Sequence, residues 1–352
     1  MYSQNNFKLK KIFYLFALIV FTLTSCDKTN DVEKLPNTDA IQFGDLKVNL
    51  PSNYNESVLS LSLSDLQNLF YSSKTDGLSR VKSSDDMGIT LDRMASIANS
   101  VVNHYPKLDS LTTEDIAIIK RDFNNIDEET INKNIEVIDS FYNALRRYDL
   151  VVALTKENQS PLKVKTSTLA GYYPGNLSSA EFWLCVLNPT YVDPTNKAAT
   201  KAKEFTLSRY PDANQHWKTQ ADAFRHVMWN ALICEYVGDQ MTSIDKCVAW
   251  AKKITDAHES GAVNDGSMTT EAWELDGAMD KHNNLIGQNY FKSVAWTYKK
   301  KGWFQPTRVA SPTSETMEEI IFEKSKSSIK VALKSEIDYY PNNAVHTVDY
   351  KW

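Results

Sequence analysis

The sequence predicts an all-α fold. Apolar residues recur at helical spacing along most of the 352-residue chain, helix-capping residues precede several of these stripes, and only 11 glycines are present. So few glycines disfavour a β-sandwich, a β-propeller or a nucleotide-loop enzyme, and neither GxGxxG nor GxxxxGK(S/T) occurs. Hydrophobic residues make up 42% and charged residues 24% of the chain, so it can bury a core.

The N-terminus predicts export and lipid attachment. Residues 1–25 have the parts of a secretory signal peptide: a lysine-containing start without acids, an apolar run over residues 12–23 that is too short to span a membrane, and small residues after it. Leu23-Thr24-Ser25-Cys26 resembles the lipobox of bacterial lipoproteins, which implies acyl chains on Cys26. The bilayer is then a partner through acylated Cys26, and the expected location is a Gram-negative cell envelope, at the outer membrane, on either face.

The chain after Cys26 begins with a tether and a helical N-terminal region. Residues 26–42 are polar and acidic and are predicted to be flexible. Over residues 43–160, Thr90 and Thr112 are candidate N-caps ahead of apolar stripes, and a further stripe covers residues 131–145. No polar constellation stands out there, so we interpret this region as a scaffold.

Residues 161–352 are predicted to form a bundle-like helical domain with its core at about residues 176–290. Ser178 and Glu181 form a capping box, and Asp193-Pro194 places a proline at the first position of the next helix. The remaining helices are expected over residues 219–238, over residues 243–261, from about 276 past 290, and from 314. Residues 344–348 are compatible with a short strand.

Four of the six histidines lie within residues 216–282, and two of the predicted helices there pair a histidine with a carboxylate. Asp222 and His226 are four residues apart and therefore share a helix face. A carboxylate beside an imidazole fixes its tautomer and raises its basicity, which suits metal ligation or general-base chemistry. His258 and Glu259 stand near the end of the second helix.

The third helix carries a stripe of Asp280, Asn283 or Asn284, and Gly287. Gly287 on this stripe would let another backbone or a ligand approach closely. His282 is only two residues from Asp280, so we expect it to point away from the stripe.

These three segments together resemble an uncharacterised bacterial domain found in lipoproteins and toxin-like secreted proteins. The motifs are DAFRH–x–x–W at residues 222–229, A-H-E at 257–259 and M-D-x-x-N-N-x-x-G at 279–287. The resemblance covers roughly residues 176–290 and implies family membership without an established activity.

Two catalytic hypotheses use these residues. In the first, His226, His258 and Asp280, with Asp222 as a further candidate, hold a divalent metal such as zinc. Glu259 is then the general base, and metal-activated water attacks an ester, a phosphodiester or an amide. In the second, Glu259 and Asp280 act without a metal as paired carboxylates on a glycan.

A non-catalytic interpretation stays open. The same polar residues could form a buried network that fixes helix register in a ligand-binding or partner-binding lipoprotein. The candidates for either role are Asp222, Arg225, His226, His258, Glu259, Asp280, Asn283 and Asn284. Side chains that converge on an open cleft would favour catalysis, and side chains saturated with protein partners would favour the network.

Other features have simpler interpretations. Cys234 and Cys247 either form a disulfide or are buried as small apolar residues. The run Lys299-Lys300-Lys301 is interpreted as a solvated helix end rather than a phosphate or lipid contact. The formal charge of −5, without a long basic stripe, argues against nucleic acid as a partner.

Overall fold

The computed structural model describes residues 40–72, 86–159, 176–212, 218–262, 264, 266 and 268–347. Ala40–Trp352 form one compact unit. The predicted signal peptide, Cys26 and residues 26–39 of the tether lie outside the described residues, as do residues 160–175 around the predicted domain boundary. Within the described residues, no helix is both long and apolar enough to cross a membrane.

The prediction of an all-α fold is confirmed, since helices dominate the described residues and the strands are short. The described α-helices are α1 Leu63–Ser72, α2 Leu91–Val102, α3 Thr113–Asp122, α4 Glu128–Lys133, α5 Ile135–Gln159, α6 Ser179–Leu187, α7 Pro189–Arg209, α8 Gln220–Val237, α9 Ile244–Gly261, α10 Thr270–Val294, α11 Ser314–Ser325 and α12 Lys334–Ile337. The strands form an antiparallel pair β1 Ile41–Phe43 and β2 Leu46–Val48, an antiparallel pair β3 Trp296–Lys299 and β4 Thr307–Ala310, and a parallel pair β5 Ile329–Val331 and β6 Val345–Thr347.

The main hydrophobic core crosses the position of the predicted boundary near residue 160. It joins Met94 of α2 and Leu150 of α5 to Phe224 of α8 and Phe291 of α10. A smaller core around Phe141 joins β2, α3, α4 and the first half of α5. Because α5 is long enough to contribute to both cores, the two predicted regions share their packing.

Helix α8 lies at the centre of the C-terminal half. It packs against α7, α9, α10 and α11, and most of its residues are buried, as is typical of a helix without a strong polar face. Thr219 caps it, with Oγ1 accepting from the N–H of Ala221 at 3.2 Å, and Gly238 ends it. The predicted helix over residues 219–238 is therefore confirmed.

Other predicted elements are confirmed by their capping contacts. Thr90 caps α2, while Thr112 with Asp115 and Ser178 with Glu181 form capping boxes at the starts of α3 and α6. Strand β6 lies within the predicted tail strand. These starts are predictable because a side-chain cap satisfies backbone N–H groups within one local turn.

Two predicted helix starts are wrong. Helix α7 begins at Pro189, whose missing N–H costs nothing at the first position, and Pro194 lies inside the helix. Helix α10 begins at Thr270 rather than near Asp276, because Thr269 accepts from the N–H of Ala272 and caps the extra turn.

The hairpins were not predicted from the sequence. Strand β1 begins within the last residues of the predicted tether. The lysine run at residues 299–301 starts in β3 and continues into the hairpin turn, so its interpretation as a helix end is wrong. Strands this short carry too little alternation of apolar and polar residues to be recognised by pattern.

The cysteines Cys185, Cys234 and Cys247 are buried free thiols. The disulfide between Cys234 and Cys247 that the sequence leaves open is therefore not formed in this structure. Burial raises the pKa of the Cys247 thiol to about 12, so it packs as a small apolar residue rather than a reactive thiolate.

Replacing Glu235 by glutamine is expected to stabilise the protein at pH 8 but not at pH 5. Burial, with a further contribution from Glu315, raises the pKa of Glu235 to about 7, although Ser314 Oγ donates to its carboxylate at 2.7 Å. Because the pKa of Glu235 is higher in the folded than in the unfolded protein, ionisation of Glu235 opposes folding. The protein therefore loses stability as the pH rises from the unfolded pKa toward about 7. Because Glu235 is partly exposed, solvent weakens this effect. The Glu235→Gln variant should therefore gain about 1–2 kcal/mol of unfolding free energy at pH 8.

Urea denaturation at pH 5 and pH 8 checks this result. The matched control is Glu204→Gln, which removes an exposed carboxylate of α7 and should leave the pH dependence unchanged. Equal effects of the Glu235 substitution at the two pH values would contradict the assigned origin of the pKa shift.

Candidate functional site

Three helices bring polar side chains to one buried position. Helix α8 supplies Asp222 and His226, α9 supplies Glu259, and α10 supplies Asp280 and Asn284. Asp222 and His226 lie on one face of α8, and the Nε2 atom of His226 is 3.6 Å from Asp222 Oδ1. The predicted sharing of a face by these two residues is confirmed.

The His226 ring is held in one tautomer by its two neighbours. Arg225 Nη2 donates to His226 Nε2 at 3.0 Å, and because a guanidinium has only donors, Nε2 is the acceptor of the pair. The ring proton is therefore on Nδ1, which donates to Asn284 Oδ1 at 3.1 Å. This arrangement leaves the Nε2 lone pair on the side of the ring that faces Asp222 and Asp280.

A chain of buried amides fixes Asn284 in turn. Asn230 Nδ2 donates to Asn284 Oδ1 at 2.6 Å, and Gln288 Nε2 donates to Asn230 Oδ1 at 2.8 Å. Asn284 Nδ2 donates to Glu259 Oε1 at 3.1 Å, and Thr255 Oγ1 lies 3.3 Å from Asn230 Oδ1. Sequence reasoning assigned no role to Asn230 and Gln288, although each follows a site residue by four positions on its own helix.

The Nε2 side of the ring faces the carboxyl groups of Asp222 and Asp280. Asp280 Oδ1 is 3.1 Å from His226 Nε2, and this buried oxygen accepts no hydrogen bond from the described residues. Asp222, His226 and Asp280 each present one ligand atom, and these atoms lie within 4.8 Å of one another. Two carboxylate oxygens and a nitrogen lone pair at this spacing repel each other unless a cation or a proton lies between them.

The site contains more acidic than basic side chains, and three of its titratable groups have shifted pKa values. Burial would raise the pKa of Asp222, but the charge of Arg225 and hydrogen bonds from the Lys218 backbone N–H and the Arg225 side chain lower it. Burial, together with the negative charges of Glu259 and Asp222, raises the pKa of Asp280 well above its usual range. Burial and the charge of Arg225 lower the pKa of His226, so the imidazole is neutral.

His258, predicted from the sequence as a metal ligand, does not belong to this group of ligand atoms in the structure. Its Nδ1 atom is 2.9 Å from Glu181 Oε1, and its ring packs edge-on against Trp229 at 5.4 Å between centroids. Burial would lower the pKa of His258, but the hydrogen bond with Glu181 and the charge of Glu259 raise it. Because Glu181 also completes the capping box of α6, His258 joins the end of α9 to the start of α6.

Asn283 and His282 contact the C-terminal segment instead of the site. Asn283 exchanges two hydrogen bonds with the backbone of Val345 in β6, at 2.9 and 3.0 Å. His282 Nε2 lies 2.8 Å from the carbonyl oxygen of Asn343, which agrees with the expectation that it points elsewhere. The stripe of α10 that reaches the site is therefore Asp280, Asn284 and Gly287.

Gly287 sets how closely α8 and α10 approach. A Cβ atom at this position would lie 2.2 Å from the carbonyl oxygen of Val227 and 2.9 Å from Cβ of Asn230. No side chain larger than hydrogen fits there without moving a helix. The close backbone approach expected from the sequence is confirmed, and it brings Asn284 and Gln288 within reach of α8.

Residues 182–313 match a known family, the Domain of unknown function (DUF6973). This segment is therefore similar to DUF6973 domains. It contains all the residues of the site, and it lies largely within the region whose motifs resemble an uncharacterised bacterial domain. No curated protein and no solved structure matches the chain.

Most of the site is closed to solvent. His226, Asn230, Asn284 and Gln288 are all buried within the segment 182–313. The exposed fractions of the Arg225 and Asp280 side chains are 18% and 17%, so solvent reaches the site on their side. The polar groups on the Nδ1 side of the His226 ring therefore have hydrogen-bond partners within the protein. On the Nε2 side, Asp280 Oδ1 has none among the described residues.

Proposed function

We propose that this protein is an envelope lipoprotein whose DUF6973-like domain binds a divalent cation and uses it in hydrolysis. Asp222 Oδ1, His226 Nε2 and Asp280 Oδ1 are the proposed ligand atoms. The observation that carries the proposal is the convergence of these three acceptors around a buried oxygen with no hydrogen-bond donor. Asp222 replaces His258 in the ligand set expected from the sequence.

The surroundings of His226 support a ligand role. A metal-binding histidine usually donates its second ring N–H to a fixed acceptor. Nδ1 of His226 donates to the Asn284 amide, which bonds to Asn230 and Glu259, and Gln288 in turn holds Asn230. Glu259 Oε1 lies 3.8 Å from Nδ1, behind the ring. We therefore assign Glu259 to holding Asn284 and not to the general-base role expected from the sequence.

The donor set favours a hard or borderline cation. One imidazole nitrogen and two carboxylate oxygens are acceptable ligands for zinc, manganese or iron(II), and three protein ligands leave positions for water. A bound cation of this kind lowers the pKa of a coordinated water and polarises a carbonyl or phosphoryl oxygen.

The substrate class is an ester, phosphodiester or amide that reaches the site past Arg225 and Asp280. In hydrolysis, the water hydroxyl joins the carbon or phosphorus, the bond to the leaving atom breaks, and the remaining proton goes to that leaving atom. The Arg225 guanidinium lies next to the proposed ligand atoms and can bind the anionic oxygen that develops on the substrate.

A second candidate, a non-catalytic network, rests on the placement of Arg225. Its Nη2 atom donates to both Asp222 Oδ1 and His226 Nε2, so its positive charge already lies where part of a cation's charge would lie. In this case the residues fix the packing of α8, α9 and α10, and the domain binds no metal.

Cation binding by the His226→Gln variant separates the two candidates. Purified protein is stripped with a chelator and titrated with zinc and manganese by calorimetry, and its metal content is measured by mass spectrometry. The hydrolase proposal expects stoichiometric binding by the wild type, with affinity at least ~100-fold weaker in the variant because a ligand is lost. Cation-dependent cleavage of chromogenic esters and phosphodiesters should disappear with it.

The matched control is His282→Gln, which alters a histidine of α10 whose Nε2 atom lies 2.8 Å from the carbonyl oxygen of Asn343. It should bind cations as the wild type does. A wild type that binds neither metal and contains none as purified would rule out the cation site and favour the structural network.

The lipoprotein part of the proposal rests on the first 26 residues. The basic start, the short apolar run and Leu23-Thr24-Ser25-Cys26 support cleavage before Cys26 and acylation of that residue. Mass spectrometry of the mature N-terminal peptide tests it, and an unmodified Cys26 in membrane fractions would contradict it.

A further inference from the structure

A cleft of about 820 Å³ lies on a different part of the molecule from the His226 site. It is bounded by the loop between α2 and α3, by α5, by the start of α7 and by the segment that follows α8. Tyr236 lines it at the far end of α8, ten residues and about 15 Å of helix rise beyond His226. The volume is in the range of small-molecule sites, about 300–1,000 Å³.

Two buried arginines line this cleft. The exposed fractions of Arg146 and Arg308 are only 2% and 5%. Arg146 Nη2 donates to the carbonyl oxygen of Pro106 at 3.1 Å, and Arg308 Nη2 donates to that of Leu108 at 2.8 Å. Both guanidinium groups are therefore held by one three-residue stretch of the α2–α3 loop.

Arg146 forms an ion pair, whereas carboxylates attract Arg308 from a distance. The charges of Asp109, Asp239 and Asp139 would raise the pKa of Arg308, but burial outweighs them and lowers it. Arg146 pairs with Asp139, whose side chain is mostly solvated and whose attraction is therefore weak. Arg308 donates only to carbonyl oxygens, and no carboxylate forms an ion pair with it among the described residues. A buried cation without a paired anion is costly.

Three residues that line the cleft have buried hydrogen-bonding atoms that find no partner among the described residues. The Nε–H groups of Arg146 and Arg308 are buried without an acceptor, and the Oε1 atom of Gln240 is buried without a donor. Both arginines and Gln240 belong to the lining of the cleft. A ligand with an acceptor near the two arginines and a donor near Gln240 Oε1 would supply hydrogen-bond partners that the described residues do not.

We propose that this cleft binds a small organic molecule that carries a carboxylate or phosphate and, apart from it, a hydroxyl or amino group. The acid group accepts from the guanidinium groups of Arg146 and Arg308, and the hydroxyl or amino group donates to Gln240 Oε1. A guanidinium presents parallel N–H groups that match either acid, so both acids share this recognition chemistry. The proposal does not depend on a cation at His226.

Titration of the purified protein with inorganic phosphate and, separately, with acetate tests the acid subsite. The arginine Nε–H signals are followed by ¹⁵N NMR, and thermal unfolding is recorded with sodium chloride of equal ionic strength as the reference. Saturable shifts of two Nε–H signals are expected with at least one of the two anions. At a hundredfold excess over Kd, Tm should rise by about 5 °C.

Variants locate the binding. Arg308→Gln should weaken anion affinity by about 10- to 100-fold, because a charged hydrogen-bond donor is lost from a buried position. Arg93→Gln is the matched control, since it removes an exposed arginine outside the cleft and should bind as the wild type does. If Arg308→Gln does not fold, the wild-type NMR titration decides alone.

The outcomes are distinct. Saturation by phosphate alone supports a phosphate-bearing ligand, saturation by acetate alone supports a carboxylate, and saturation by both supports the shared acid subsite. Shifts that chloride reproduces, the absence of any saturable shift, or unchanged affinity in a folded Arg308→Gln variant would overturn the proposal.

Discussion

Replacing Gly287 by alanine is expected to lower the free energy of unfolding by about 3–5 kcal/mol, which is large for the addition of one methyl group. The new Cβ would lie 2.2 Å from the carbonyl oxygen of Val227, an atom of the α8 backbone that cannot rotate away. Helices α8 and α10 would have to separate where they are most closely packed. Urea denaturation monitored by circular dichroism measures the loss.

The control for this substitution lies on the same helix. Gly277 has no atom within 4 Å of its would-be Cβ, so Gly277→Ala adds helix propensity without a clash. It should stabilise the protein by about 0.5–1 kcal/mol. If the two variants have similar stability, the contact between Gly287 and α8 does not limit the packing of these helices.

The same substitution should disturb the site. Gly287 lies between Asn284 and Gln288 in the sequence of α10, and both of these residues bond to Asn230 of α8. Separation of the helices lengthens those hydrogen bonds and frees the His226 ring. A folded fraction of Gly287→Ala is therefore expected to bind cations more weakly than Gly277→Ala.

The substitution Asp280→Asn is expected to abolish cation binding while leaving the fold intact. It removes the charge of a proposed ligand but keeps its shape, so affinity should fall at least ~100-fold. The metal-free protein should be as stable as the wild type at pH 5 and more stable at pH 8. Calorimetric metal titration and urea denaturation at the two pH values provide the measurements.

The sign of this pH effect follows from the surroundings of Asp280. Burial and the charges of Glu259 and Asp222 raise its pKa in the folded protein, so its ionisation opposes folding and stability is lost as pH rises. Asparagine cannot ionise, so the variant escapes this loss. A variant that binds cations normally, or that unfolds at every pH, would be evidence against the ligand role.

The control for Asp280 is an exposed acid of the same size. Asp256 on α9 pairs with Lys252 at the surface, so Asp256→Asn should change neither cation affinity nor the pH dependence of unfolding by more than a few tenths of a kcal/mol. Together, the two variants separate the loss of a ligand from the general loss of one negative charge.

Much of the helical architecture is predictable because its causes are local. The caps at Thr90, Thr112, Ser178 and Thr219 act through side chains that bond to backbone N–H groups of the same turn. The start of α7 at Pro189 was not predicted because both Pro189 and Pro194 are acceptable at the first position of a helix. The choice between them depends on packing that the local sequence does not contain.

The site was only partly predictable. Asp222 and His226 are neighbours because four residues make about one turn of α8, and that relation holds wherever the helix lies. The partner of His258 depends on the tertiary structure, since Glu181 lies 77 residues away in the chain. The roles of Asn230 and Gln288 likewise exist only where α8 meets α10.

The sequence alone was enough to predict the class of fold, the limits of α8 and α9, the pairing of Asp222 with His226 and a close backbone approach at position 287. These features follow from hydrogen bonds and side-chain spacing within single helices. The tertiary structure was needed to show that Asp280 faces His226 while His258 faces Glu181, and that Arg146 and Arg308 both bond to the α2–α3 loop. Such contacts join distant segments, and their geometry is set by how whole helices pack, which no local pattern encodes.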